Sequence, residues 1–171
     1  MDPSRYFNAE SRLDPKVIDG PQVPTVVVGQ MGLSMDDMPR FMDGAFGALM
    51  GVLEENHIEP IGPAFSLHYR IPDDTADFEV GFPVDKELFD EVLIGEDLRV
   101  VPSTLPAHSI ATVSHIGSYE RLGEAWGEFM QWVEENGYSP TVPFWEFYVT
   151  EPTPEMDPET LRTDLYVPLE R

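Results

Sequence analysis

The chain has 171 residues, enough for one domain or two small fused halves, and a chain of this size buries about 70% of its unfolded surface without needing a disulfide or a metal. It contains no cysteine, which excludes disulfides, thiol catalysis and thiolate metal sites. Asp and Glu number 32 against 10 Lys and Arg, a formal charge of −22 that repels phosphate backbones, attracts cations and argues against direct nucleic-acid binding.

Residues 1–16 have no apolar centre and no small-residue cleavage site, so they read as an N-terminal extension and not as a signal peptide. No apolar run approaches the ~18 residues of a membrane span, and a cytoplasmic protein is expected. "KVIDG" (16–20) is the first strand candidate and "TVVVGQ" (25–30) the second. Ser34 suits the N-cap of a helix whose apolar stripe is Phe41, Ala45, Leu49 and Val52. Gly44, Gly47 and Gly51 lower its intrinsic helicity, so packing must hold it. Two strands follow, the second containing "EVGFPV" (79–84). "DKELFDEVLIG" (85–95) predicts a short helix, and "DLRVVPS" (97–103) a linking strand. "KVIDG" and "DLRVVPS" are each expected to extend their own half. The second half runs from the strand "SIATVSH" (109–115) through a helix striped by Leu122, Trp126, Phe129 and Val133. Gly137, after Asn136, suits a left-handed helix stop. Two closing strands, "VPFWEFYVT" (142–150) and "DLYVPL" (164–169), complete the chain.

The halves repeat one another. Glu54, Glu55, Asn56, Pro60, Pro63 and Pro72 match Glu134, Glu135, Asn136, Pro140, Pro143 and Pro152, each 80 positions later. Gly32 and Gly117 lie 85 apart, as do "EVGFPV" and "DLYVPL". The whole of 1–171 is thus read as one α+β domain: a first repeat over 17–100, a second over 101–171, each βαββ in type. The repeats would form a curved antiparallel sheet with two long helices on one face and a ligand cleft at the pseudo-twofold.

Glu146 is conspicuous in "VPFWEFYVT", where seven of nine residues are apolar or aromatic. A carboxylate inside such a strand costs several kcal/mol, roughly, unless compensated. Side chains alternate along a strand, so Phe144, Glu146 and Tyr148 share one face, and Trp145, Phe147 and Val149 the other. The second set is more uniformly apolar and is placed against the helices, with Leu165, Val167 and Leu169. Asp164 and Tyr166 then join Glu146. The repeat puts Ser66 and His68 at the positions of Glu146 and Tyr148, with Phe65 and Leu67 toward the helix. The resulting ligand face is aromatic around one acid: Phe144, Tyr148, Tyr166, His68 and Glu146. Such a wall suits a lipophilic cation, each good cation–π contact contributing about 0.5–2 kcal/mol. The alternatives for Glu146 are a position facing water, or an ion pair with Arg70, Arg99 or Arg162. Those for Tyr148, Tyr166 and His68 are ordinary packing or surface positions.

The residues also resemble a known family. "PAHSIATVSHIGSYERLGEAWGEFMQWVEENGYSP" (106–140), "PFWEFYVTEP" (143–152) and "LRTDLYVPL" (161–169) are similar to the GyrI-like small-molecule-binding domain, also called the bacterial transcription activator effector-binding domain. The likeness is strong over 101–171 and weaker, in register, over about 17–100. It implies two βαββ-type repeats, a cleft between them, and cationic, lipophilic, often multi-ring ligands. It implies Glu146 as the acid that meets the cation, with Tyr148, Tyr119, Tyr166 and Trp145 as supports, although strict alternation sends Trp145 to the helix side. In some standalone relatives the matching Glu supports hydrolysis of cyclopropane-containing toxins, and other relatives bind and inhibit DNA gyrase. Regulators of the family carry a helix-turn-helix module; about 16 residues precede the first strand here and nothing follows the last, so a standalone form is expected.

No Gly-rich phosphate loop is present: "GAFGALMG" (44–51) lacks the Lys and the preceding strand. The four histidines, 57, 68, 108 and 115, are dispersed, so no metal site and no cofactor are expected. Ser114 and His115 are adjacent without a nucleophile elbow. The expected function is a binding or sequestering module for cationic or lipophilic multi-ring small molecules, with Glu146 and Tyr148 as a catalytic pair in the alternative that the protein is a hydrolase. A second alternative is a gyrase inhibitor acting through its acidic surface.

Overall fold

The computed structural model describes residues 11–20, 22–94, 98–105, 108–150 and 153–170. The described residues of 22–106 form one compact unit, and those of 1–21 with 107–171 form the other. The first unit contains β2 (Val23–Ser34), α1 (Met38–Glu55), β3 (Phe65–His68), β4 (Thr75–Pro83), β5 (Val92–Ile94) and β6 (Leu98–Leu105). Its strands are antiparallel in the order β3-β4-β2-β6-β5. The second contains β1 (Lys16–Gly20), β7 (His108–Ile116), α2 (Leu122–Glu135), β8 (Phe144–Tyr148) and β9 (Arg162–Pro168), antiparallel in the order β1-β7-β9-β8. The class is α+β, and the two repeats have one topology: β2-α1-β3-β4 corresponds to β7-α2-β8-β9.

Local chemistry explains the helix limits. Ser34 accepts a hydrogen bond from the Asp36 N–H and opens a 3-10 turn (Met35–Asp37) that feeds α1, where Pro39 sits in the first turn and needs no donor. A matching turn, Tyr119–Arg121, feeds α2. The second residue after each helix, past the capping Asn56 or Asn136, turns left-handed. Gly137 does so at φ +83°, and His57, its counterpart 80 positions earlier, at φ +55°. Gly32 and Gly117, the pair matched at 85, also take positive φ.

Each unit has its own apolar centre. In the first, Ala45, Leu49, Val52 and Leu53 of α1 pack on Val26, Val28, Phe78, Val80 and Val100. In the second, Phe129 and Val133 of α2, with Leu122 and Trp126 partly buried beside them, pack on Ala111, Val113, Phe144, Leu165, Val167 and Leu169. The helix stripes read from the sequence are therefore the buried ones. A side chain at Gly81 would lie 2.1 Å from the Val26 carbonyl oxygen, so only glycine permits the approach of β4 to β2 there.

Two expectations are corrected. "KVIDG" does not extend the first repeat: β1 pairs with β7, placing Ile18 across from Ile110, while "DLRVVPS" supplies β6 to β2 of the first repeat. Each strand takes the open edge that matches its apolar residues, whatever the distance along the chain. Residues 85–91 are not helical, and Val92–Ile94 is a strand paired with β6. Leu88 alone of that segment is drawn into the core while Phe89 is fully exposed, so no helical stripe exists to be buried.

Candidate functional site

Cross-strand partners share a sheet face, which settles where Glu146 points. Glu146 stands opposite Leu165, whose side chain packs in the α2 core, and Trp145 stands opposite Tyr166. Phe144, Glu146 and Tyr148 therefore face α2. This reverses the expectation, which put Trp145 and Phe147 against the helices and Asp164 and Tyr166 beside Glu146. The reason is that both faces of β8 are dry. Trp145, Phe147 and Tyr166 are fully buried on the face turned away from α2, so apolarity does not distinguish the two sides. There Trp145 stacks on Tyr166 at 5.9 Å and Phe147 meets the same ring edge-on at 5.3 Å. Burial, then the Asp164 charge, pushes the Tyr166 phenol above its ordinary pKa.

On the α2 side the site assembles around Glu146. Its Oε2 accepts from the Trp126 indole N–H at 2.9 Å, and its Oε1 accepts from the Tyr148 hydroxyl at 2.8 Å. Tyr148 lies two residues further along β8 and so on the same face. Trp126 sits mid-stripe on α2, where a partly buried indole needs an acceptor. Its ring also meets Phe144 edge-on at 5.1 Å. Tyr119, in the turn before α2, meets Tyr148 edge-on at 5.9 Å and is partly exposed. Burial, and secondarily the negative charge of Glu146, raises the Tyr119 pKa. Both of these hydrogen bonds come from neutral donors and orient the carboxylate.

The arginines weighed as partners for Glu146 pair with other acids: Arg70 with Asp77, Arg99 with Glu91 and Arg162 with Asp164. In the first repeat Ser66 and His68 lie on the α1 side of β3, opposite Val80 and Phe78, and Phe65 and Leu67 lie on the other face, again the reverse of expectation. The His68 ring stacks on Phe78 at 5.7 Å, and burial pulls its pKa down to about 4. The sequence named Trp126 only as a core residue. Its N–H, the one polar atom in that stretch of stripe, was the available sign of a second role. Among the described residues no group of three or more His, Asp or Glu is placed to hold a metal ion, and no helix is long and apolar enough to cross a membrane.

The chain thus carries a duplicated βαββ unit with a helix-facing carboxylate held by an indole and a phenol. The family model for the GyrI-like small molecule binding domain matches residues 25–170, and the chain belongs to that family. Among solved structures, the EcmrR C-terminal domain superposes with a TM-score of 0.76 at 20% identity, over 92% of this chain and 98% of that one. In the EcmrR–DNA complex the matched part is 57% of the EcmrR chain. A hydrolase from Listeria innocua matches with a TM-score of 0.66 at 14% identity, over 98% of this chain and 96% of that one. SAV2435 bound to tetraphenylphosphonium matches with a TM-score of 0.58 at 11% identity, over 92% of this chain and 94% of that one. No curated protein matches the sequence.

Proposed function

We propose that the protein binds cationic, lipophilic multi-ring small molecules, with the Glu146 carboxylate as the anionic contact. The observation that carries this is the pair of neutral donors, Trp126 and Tyr148, on the two carboxylate oxygens within an aromatic surround of Phe144, Trp126, Tyr119 and Tyr148. A carboxylate in an aromatic surround suits a delocalised, lipophilic cation, which gains from the acid and from the rings together. Ser66 and His68 hold the corresponding positions of the first repeat, where no acid stands. Trp145 and Tyr166, stacked on the other face, support the strand that carries Glu146. The likeness to SAV2435 supplies a probe. Isothermal titration with tetraphenylphosphonium is expected to show binding that falls at least tenfold in Glu146→Gln. Equal affinity in that variant overturns the reading.

A second reading is hydrolysis of an electrophilic, cyclopropane-containing compound, favoured by the 2.8 Å contact between a carboxylate and a phenol in one site. Glu146 would take a proton from the attacking water, and Tyr148 would hydrogen-bond the oxygen that gains charge as the ring bond breaks. General acid–base assistance of this kind contributes about 10²–10⁴-fold. Incubation with a spirocyclopropane substrate, followed by mass spectrometry, separates the readings: a product heavier by one water indicates turnover, and unchanged substrate indicates binding alone. A gyrase-directed role rests on net charge only.

A further inference from the structure

The sheet face turned away from α1 carries an acid with no part in the proposed function. Glu79 on β4 is 7% exposed. Its Oε2 accepts from the Tyr69 hydroxyl at 2.7 Å, and its Oε1 accepts from the Ser103 hydroxyl at 3.4 Å. Among the described residues no basic side chain meets it. Burial pushes its pKa up, against the opposing pull of the two hydrogen bonds. Beside Ser103, directly across β2 and β6, stands Thr25, 1% exposed, whose Oγ1 has no hydrogen-bond partner among the described residues. Thr25, Ser103 and Glu79 all alternate with core residues (Val26, Val100, Val80) and so share this face. Glu79's partner across β2 and β4 is the exposed Gly29, where a Cβ would make ordinary contact with the Phe78 carbonyl oxygen at 3.6 Å and the Glu79 Cβ at 3.8 Å.

The other repeat shows what such an acid takes. Asp164, 85 positions after Glu79, is buried too, and it receives Arg162 through Nε at 2.9 Å and Nη2 at 2.8 Å, with the Ser114 hydroxyl at 2.7 Å. The positions of Arg162 and Ser114 are occupied in the first repeat by Asp77 and Gly29. Asp77 turns instead to the Gly32 N–H and to Arg70. One repeat thus supplies a cation and a hydroxyl to its buried acid, and the other, among the described residues, meets its acid with hydroxyls alone.

We propose that Glu79, Ser103, Thr25 and Tyr69 form a second cation site, for a primary ammonium group: the ammonium ion or the end of an alkylamine. An –NH₃⁺ group carries three donors. Glu79 Oε1, Ser103 Oγ and Thr25 Oγ1 are three acceptors on one face, while Tyr69 remains on Oε2. Binding turns the Ser103 hydroxyl from donor to acceptor and satisfies the Thr25 oxygen. A quaternary ammonium ion has no N–H to give and is excluded. This separates the site from that at Glu146, which suits a delocalised, apolar cation.

The test is a ¹H–¹⁵N NMR titration of the full chain with n-butylammonium chloride, run beside potassium chloride and tetramethylammonium chloride at equal ionic strength. Saturable shifts at the amides of Tyr69, Glu79 and Ser103 are expected with butylammonium alone. Affinity should fall at least tenfold in Glu79→Gln and several-fold in Ser103→Ala, and should be unchanged in Glu128→Gln, an exposed acid on α2. The same response to potassium or tetramethylammonium would show mere screening of the net charge and overturn the proposal, as would full affinity in Glu79→Gln. If that variant does not fold, Ser103→Ala and Thr25→Val decide: undiminished affinity in both overturns it.

Discussion

The Trp126 indole and the Glu146 carboxylate, 2.9 Å apart, tie the middle of α2 to the middle of β8. The bond does two jobs, fixing a helix on a sheet and aiming an acid. Trp126→Phe keeps the ring contact with Phe144 and deletes the donor. A hydrogen bond to a charged group contributes about 1.5–3 kcal/mol, so urea unfolding should show a loss of that order. Tetraphenylphosphonium affinity should fall several-fold as the carboxylate loses its orientation. A stability equal to wild type would mean that the indole N–H is incidental.

Arg162 and Asp164 form a clamped ion pair in which both side chains are largely buried. Removing one partner of such a pair leaves an uncompensated charge and costs about 3–5 kcal/mol. Arg162→Ala should therefore be among the most destabilising single changes in the second unit. The double variant Arg162→Met/Asp164→Leu should recover most of the loss, because neither charge is then stranded. Chemical denaturation of the three proteins checks the order.

The depressed pKa of His68, about 4 against an ordinary 6.5, gives the protein an acid-sensitive element. The unfolded chain takes up this proton before the folded one does, so the neutral imidazole favours the folded state above pH 6.5. That contribution is lost as pH falls from 6.5 toward 4 and amounts to about 3 kcal/mol in full. Thermal unfolding across this window should show a steeper fall for wild type than for His68→Phe. Parallel curves would place the titration elsewhere.

His57 and Gly137 close the two helices with the same left-handed residue, yet only one of them is glycine. A non-glycine residue pays about 1 kcal/mol in that conformation. His57→Gly should raise stability by roughly 0.5–1 kcal/mol, and Gly137→Ala should lower it by about as much. The melting temperatures of the two variants should move in opposite directions.

Much of the fold was legible because it was written twice. The matched prolines, the EEN triplets and the glycines at 32, 117 and 137 mark turns and helix ends by backbone chemistry, and the stripes through Leu49 and Phe129 mark the buried helix faces. Sidedness was not legible. Trp145, Phe147 and Phe144 are all dry, so alternation identified two faces of β8 without saying which met α2. The site was legible as a lone acid in an apolar strand. Its holder, Trp126, was hidden among core residues, because an indole looks apolar until the acceptor for its N–H is asked for. Glu79 was hidden differently, inside a segment recognised only for its repeat match, in which no single residue stood out.

β1 does for β7 what β6 does for β2. The stretch that was copied and the stretch needed to close a sheet are consequently not the same piece of polypeptide. A gene fragment ending after residue 106 would encode the first module complete and leave it trailing an orphan ribbon, Lys16–Gly20. The remainder would emerge with a bare edge along Ile110 and Thr112, inviting a neighbouring chain to donate what its own leader should have brought.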